Sequence, residues 1–212
     1  MRLGIIITFI FTCISCKNVT EKESKQAKIV VDSTGLKTQT VEKQTENLKL
    51  ISFLENPINL QAFKKLKKMH FTTSVASATD YYFNPKISNS IFYVYYYPSE
   101  EIILKEIDQF VVFKYGENKH TYNDETEILI EFRIFNKDSD LGKANLVGLT
   151  KIELETKFGD EYLTLENRIV YSNNNKALVI ELDSSKVKSY KYLKLNTEKV
   201  DNDLIRQIVV QH

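Results

Sequence analysis

Residues 127–135 read Glu-Ile-Leu-Ile-Glu-Phe-Arg-Ile-Phe, and this stretch decides the class of fold. Apolar residues recur at every second position, 128, 130, 132 and 134, while Glu131 and Arg133 fall between them. A period of two is the signature of a strand with one face in a core and the other toward water. On a helix the same residues would scatter around the circumference. The expectation is therefore a strand whose apolar face carries Ile128, Ile130, Phe132 and Ile134.

Two further strands precede it. Residues 91–97 (IFYVYYY) are rich in strand formers and end at Pro98. Residues 109–115 (QFVVFKY) form the second, followed by a turn around Gly116-Glu117-Asn118-Lys119. Upstream, Asn56-Pro57 reads as a helix start, with Asn as the cap and Pro at the first helical position. Leu60, Phe63, Leu66 and Met69 follow at a spacing of three, while Lys64, Lys65, Lys67 and Lys68 read as a solvated face. That helix packed on the strands gives an α+β layer.

Downstream, residues 136–145 (NKDSDLGKAN) form a polar break and a candidate domain boundary. Thr150 then caps a short helix with Glu153 at its third position, the reciprocal capping box. Ile152, Leu154 and Phe158 are its apolar residues, and Gly159 ends it. Strands are expected at 168–171, 177–182 and 187–195, separated by Asn173-Asn174-Asn175 and Asp183-Ser184-Ser185. Residues 201–212 read as a closing helix capped by Asp201 or as a final strand, the helix being favoured. The fold class expected is α+β: antiparallel sheets with a few short helices on one face, as one body or as two small modules, 48–136 and 137–212.

The N-terminus carries a different signal. Arg2 is followed by an apolar run at residues 3–12 (LGIIITFIFT) and then by Cys13-Ile14-Ser15-Cys16. Such a run suits a signal peptide but is too short for a bilayer core of about 30 Å, which needs roughly 20 residues. Residues 17–46 are polar, apart from Ile29-Val30-Val31, and cannot offset their ordering entropy by burial. They read as a tether with a span of about 30 Å, or as carrying one edge strand at residues 28–32 that docks on the body.

Cys13-Ile14-Ser15-Cys16 resembles the lipobox of bacterial lipoproteins, with Cys13 standing where Leu or Val is commoner. The resemblance implies lipidation of the Cys16 thiol, signal cleavage between Ser15 and Cys16, and acylation of the new amine. Residues 1–15 are then the signal peptide and residues 16–47 the lipidated cysteine and its tether. Ser15-Cys16-Lys17-Asn18 and the Lys-, Asn-, Ile- and Tyr-rich composition resemble lipoproteins of the Bacteroidetes. The first acidic residue after Cys16 is Glu21, behind Lys17, which favours an outer-membrane anchor facing the periplasm.

A second resemblance lies near the C-terminus. Gly148-Leu149-Thr150-Lys151-Ile152-Glu153-Leu154, then Phe158-Gly159 and three strands, resembles the SmpA/OmlA-type module over about residues 146–196. Asp160-Glu161 replaces the Gly-x-Pro continuation of that family. The resemblance implies a non-enzymatic envelope lipoprotein whose body binds or scaffolds another cell-envelope protein, in outer-membrane assembly for example. A periplasmic inhibitor or immunity lipoprotein is the alternative, with a glycan-binding protein or hydrolase behind it.

Charge and motifs narrow the chemistry. Lys and Arg number 29 against 28 Asp and Glu, so no basic excess points to nucleic acid. His70, His120 and His212 are far apart and lack metal-ligand spacing, so neither a metal nor another cofactor is expected. His120 lies in Lys119-His120-Thr121-Tyr122-Asn123-Asp124 and reads as a loop histidine. The carboxylate pairs Glu100-Glu101, Asp138/Asp140 and Asp160-Glu161 fit turns and helix ends. Tyrosines crowd residues 81–97, and Tyr93, Tyr95 and Tyr97 share one strand face. They are either a platform for a partner or cross-strand packing.

Overall fold

All six expected strands fall within a few residues of where the strand formers and the turn residues put them, and two more complete one sheet. The computed structural model describes residues 48–98 and 106–210. Ser15, Cys16, the expected signal peptide and tether, and the candidate strand at 28–32 lie outside the described residues. The strands are β1 (Thr72–Ala76), β2 (Ile91–Tyr97), β3 (Asp108–Lys114), β4 (Glu127–Ile134), β5 (Leu163–Leu165), β6 (Arg168–Asn173), β7 (Lys176–Asp183) and β8 (Lys186–Lys194). Their order is β1-β2-β3-β4-β8-β7-β6-β5, antiparallel throughout.

Two meanders thus meet at β4 and β8, where Phe132 faces Tyr192 and Ile134 faces Tyr190. The boundary expected at residues 136–145 is not one, because the sheet runs through both halves and Gln44–His212 forms one unit. The polar composition there hides three core residues. Leu141, Ala144 and Leu146 are buried, and Asp138 caps the 3-10 turn Ser139–Ala144 that positions them. The following loop is stitched to β8 by Gly148 N–H to Val187 O (2.8 Å) and Val187 N–H to Leu149 O (2.8 Å).

β4 corrects the simplest reading of its own alternation. Val111 pairs with Glu131 but Val112 pairs with Leu129, so Ile130 is the extra residue of a β-bulge. The bulge exchanges faces. Ile128 and Ile130 pack with Phe92, Val94, Val111 and Phe113 on the back, whereas Leu129, Phe132 and Ile134 belong to the front core. Glu127 therefore points to the front, and Glu131 lies on the back with Arg133.

The helices are α1 (Leu48–Glu55), α2 (Leu60–Leu66), α3 (Lys151–Phe158) and α4 (Asn202–Val210). The first three cover the front face. Phe53 meets Phe158 at 4.9 Å, Phe63 meets Phe110 at 4.9 Å, and Phe158 meets Tyr171 at 5.6 Å between ring centroids. α3 has the expected capping box and stops at Gly159, whose φ of 85° suits glycine. Asp201 caps α4 as expected, accepting from Leu204 N–H at 2.8 Å. α4, however, lies on the back, where Ile205, Ile208 and Val209 pack on Val170, Ala177 and Leu193. The helices do not share one face, since each face of the sheet has its own apolar strip to cover.

The helix expected to start at Asn56-Pro57 starts instead at Leu60, and a further helix, α1, ends just before Asn56. Pro57 restricts Asn56 away from helical geometry, so α1 ends there, and Asn59 caps α2 by accepting from Ala62 N–H at 3.0 Å. Spacing by three falls behind the helix by about 60° per step. Leu66 and Met69 have consequently rotated into solvent, at 60% and 84% exposure, while Phe63 and Lys64 point inward at 2%.

Candidate functional site

Lys64 is the residue from which the candidate site is built. α2 drives its side chain inward, 2% exposed, to meet Glu127, also 2% exposed, at 2.6 Å. The β3–β4 hairpin places Lys114 directly opposite Glu127, with their charged groups 3.7 Å apart and the lysine wholly buried. Gln61 donates to the Glu127 oxygen that Lys64 uses, at 2.6 Å. The Lys114 ammonium also donates to the Thr121 carbonyl and reaches Asp124 at 3.9 Å. Two ammonium groups and two carboxylates thus close on one another under the α2 helix. Burial pulls the Lys114 ammonium below the ordinary lysine value, and the charge of Glu127 opposes that pull.

Tyrosines roof this cluster. The Tyr122 ring stacks on Phe71 at 3.8 Å and lies 4.9 Å from the Lys64 ammonium, a cation–π contact. Tyr122 donates its hydroxyl proton to the Lys64 carbonyl at 3.1 Å, so in the 3.1 Å pair with Tyr97 the latter is the donor. The Tyr95 ring stands 5.3 Å from the Lys64 ammonium and its hydroxyl 3.5 Å from Lys114. Burial pushes the Tyr95 and Tyr97 hydroxyls far up, out of the range of physiological ionisation. Neither serves as a phenolate nucleophile.

These positions revise the expected tyrosine platform. Tyr93, Tyr95 and Tyr97 do share one face of β2, but that face is the core face, and Tyr95 and Tyr97 are 2% and 5% exposed. Their rings serve cross-strand and helix packing. Tyr93 is partly buried, and its hydroxyl shares a hydrogen bond of 2.9 Å with His120 Nδ1 at the surface. Beside Tyr93 lies its register partner Val75, 63% exposed, on the edge strand β1. β1 ends the sheet and carries no charge, proline or bulge, the usual guards against edge pairing.

Glu100 and Glu101 lie outside the described residues, and among the described residues the carboxylates considered for acid–base work do not converge. Asp124 accepts from the Thr126 hydroxyl at 2.6 Å and faces Lys114, and the Thr126 bond in particular holds its carboxyl below the usual range. Asp160 and Glu161 line a cleft of about 800 Å³ with Tyr162, Ser172 and Asn202, on the β5–β6 side of the sheet. His120 and Asp124 belong to the β3–β4 turn, in the other half. Among the described residues no three His, Cys, Asp or Glu side chains gather as a metal site would require.

The chain matches no family model, no curated protein and no solved structure. The SmpA/OmlA resemblance accordingly rests on the residues between 146 and 196 alone. Those residues form α3, β5 and the β6–β8 meander, with β8 paired to β4 rather than standing free. Sequence reading missed Lys64, Lys114, Glu127 and Tyr122. A usable signal was present: Lys114 and Glu127 sit at mirrored ends of two strands joined by one turn, where a lysine and a glutamate face each other in a hairpin.

Proposed function

We propose that this chain is a non-enzymatic lipoprotein, anchored through acyl chains on Cys16, whose α+β body binds another protein of the cell envelope. The anchor reading is supported by the apolar run at residues 3–12 and Ser15-Cys16. No helix of the described residues is long and apolar enough to cross a membrane. The binding reading is carried by one observation: among the described residues β1 ends the sheet with its outer edge unpaired, beside exposed Val75, with Leu66 and Met69 exposed on the segment that leads into it. An open edge with unguarded strand formers suits the addition of a partner strand, in which main-chain hydrogen bonds supply affinity and adjacent apolar side chains supply selectivity. The non-enzymatic reading is supported by the closed packing of the buried lysines and by the dispersal of the carboxylates.

Photo-cross-linking in intact cells tests this reading. A benzoylphenylalanine residue replacing Val75 is expected to trap one discrete protein. The same probe replacing Ile152, exposed on α3 far along the sheet, is expected to trap none. Recovery of monomer alone from the Val75 position, with efficient activation of the probe, contradicts the binding reading. The identity of the trapped protein separates an assembly component from a toxin or hydrolase that the chain would inhibit.

A further inference from the structure

The back face of the sheet holds a group of cations that the packing leaves under-compensated. Arg133 on β4 and Lys191 on β8 are register partners, and both turn toward Glu131. Its Oε1 takes Arg133 Nε at 3.0 Å and lies 3.3 Å from Lys191 Nζ. The lysine contact is an ion pair without hydrogen-bond alignment, so the buried Nζ has no hydrogen-bond partner. Across the same cavity Arg168 donates to the Val209 carbonyl at 2.8 Å and forms no ion pair among the described residues. Glu181 also lines the cavity, but its carboxylate is engaged by Lys188 at 3.2 Å. Three cations therefore line the space with two carboxylates: Glu131, one oxygen of which Arg133 and Lys191 share, and Glu181, the register partner of Arg168.

The space itself measures about 160 Å³ and opens between the sheet and the end of α4. Val179, Ile208 and Val209 give it an apolar wall, and Phe135, Ser189 and Tyr190 complete the lining. A cavity of about 150 Å³ holds a ligand the size of benzene, about six heavy atoms. Burial presses the Lys191 ammonium down to about 8, so this lysine weakens the fold as long as nothing completes its shell. A buried, incompletely paired charge that lines a cleft is a candidate for ligand binding.

We infer that this cavity binds a carboxylate on a short apolar stem, with Lys191, Arg133 and Arg168 around the anion and Val179, Ile208 and Val209 around the stem. Such a group is either a free short-chain acid or the C-terminal residue of a peptide. The inference does not rest on the envelope reading.

The test is a titration of the purified, isotopically labelled chain, followed by the side-chain NMR signals of Lys191, Arg133 and Arg168. Sodium butyrate is expected to move these signals saturably, and butyramide, of the same shape without charge, is not. Lys191→Met leaves Glu131 paired with Arg133, so the variant is expected to melt above the parent. Its butyrate affinity is expected to fall about tenfold or more, as for loss of a charge-assisted hydrogen bond. Arg168→Gln is expected to weaken binding in the same direction. Acetyl-Gly-Ala-Val with a free carboxyl, compared with its amide, identifies the source. Tighter binding of the free peptide than of butyrate assigns a protein C-terminus, and the reverse assigns a small acid. Absence of saturable shifts from both probes overturns the inference. So does equal binding of butyramide, or undiminished binding by a folded Lys191→Met chain.

Discussion

Replacing Glu127 with alanine is expected to cost about 3–5 kcal/mol of folding stability, the penalty for breaking a buried ion pair by removing one partner. Glu127 is the carboxylate nearest to Lys64 and is one of two near Lys114. Without it, Lys64 keeps the faces of Tyr95 and Tyr122 but has no anion, and Gln61 loses its acceptor. A single domain is stable by about 5–15 kcal/mol, so the loss is a large share of the total. Urea unfolding of the purified chain measures it.

The same variant carries a signature in pH. A lysine whose folded pKa lies below its unfolded value of 10.5 binds fewer protons in the folded state between the two values. Stability then rises with pH through that window, because the unfolded chain must give up the proton that the folded chain has already released. In the parent Lys191 and Lys194, also lowered by burial, share that window with Lys114, whose own part is partly restored by Glu127. In Glu127→Ala the restoring charge is gone, and the rise toward pH 10.5 is expected to steepen. A loss under about 1 kcal/mol with an unchanged pH slope would place the cluster outside the core's energetics. Replacing Lys64, Lys114 and Glu127 together by apolar residues of similar volume is expected to recover much of the loss, since paired charges gain little over a packed apolar core.

How much of this was legible in the chain depends on range. Local signals carried well. Thr150 and Glu153 specified a capping box, Gly159 a helix end, and Asp201 the cap of α4, because each acts within three residues of itself. Strands β2, β3, β4, β6, β7 and β8 were readable from strand-forming residues and from their turn residues, including Ser184-Ser185, whose positive φ values (49° and 65°) turn β7 into β8. What the alternation could not show was the insertion of Ile130 as a bulge, since a bulge is a relation between two strands. The same holds for the β4–β8 seam, where Glu131 pairs with Leu193 and Ile134 with Tyr190, a long-range pairing that no local pattern announces.

The candidate site was the least legible part. Lys64 looked like its neighbours Lys65, Lys67 and Lys68, and only the direction of α2 separates the buried lysine from the exposed ones. Tyr95 and Tyr97 were readable either as a surface platform or as cross-strand packing, and alternation alone does not choose between the two faces of β2. Their partners, the Lys64 ammonium, Tyr122 and Lys114, come from three other segments. Polar atoms that find buried partners cease to be surface features.

The lipid anchor is the central functional claim, and it stands or falls with Cys16. A single acyl chain holds a protein only marginally, whereas each added CH₂ contributes about 0.8 kcal/mol, so several chains on one residue give a stable anchor. The tether that follows would then hold the body clear of the lipid head groups. Cys13 would leave with the signal peptide, so lipidation would consume the remaining thiol. The most direct measurement is incorporation of radiolabelled palmitate into the parent chain and into Cys16→Ala, expressed side by side in a bacterium that processes lipoproteins. The parent is expected to carry the label and to fractionate with membranes, and Cys16→Ala to carry none. Equal labelling of the two chains, or an unlabelled parent, contradicts the account.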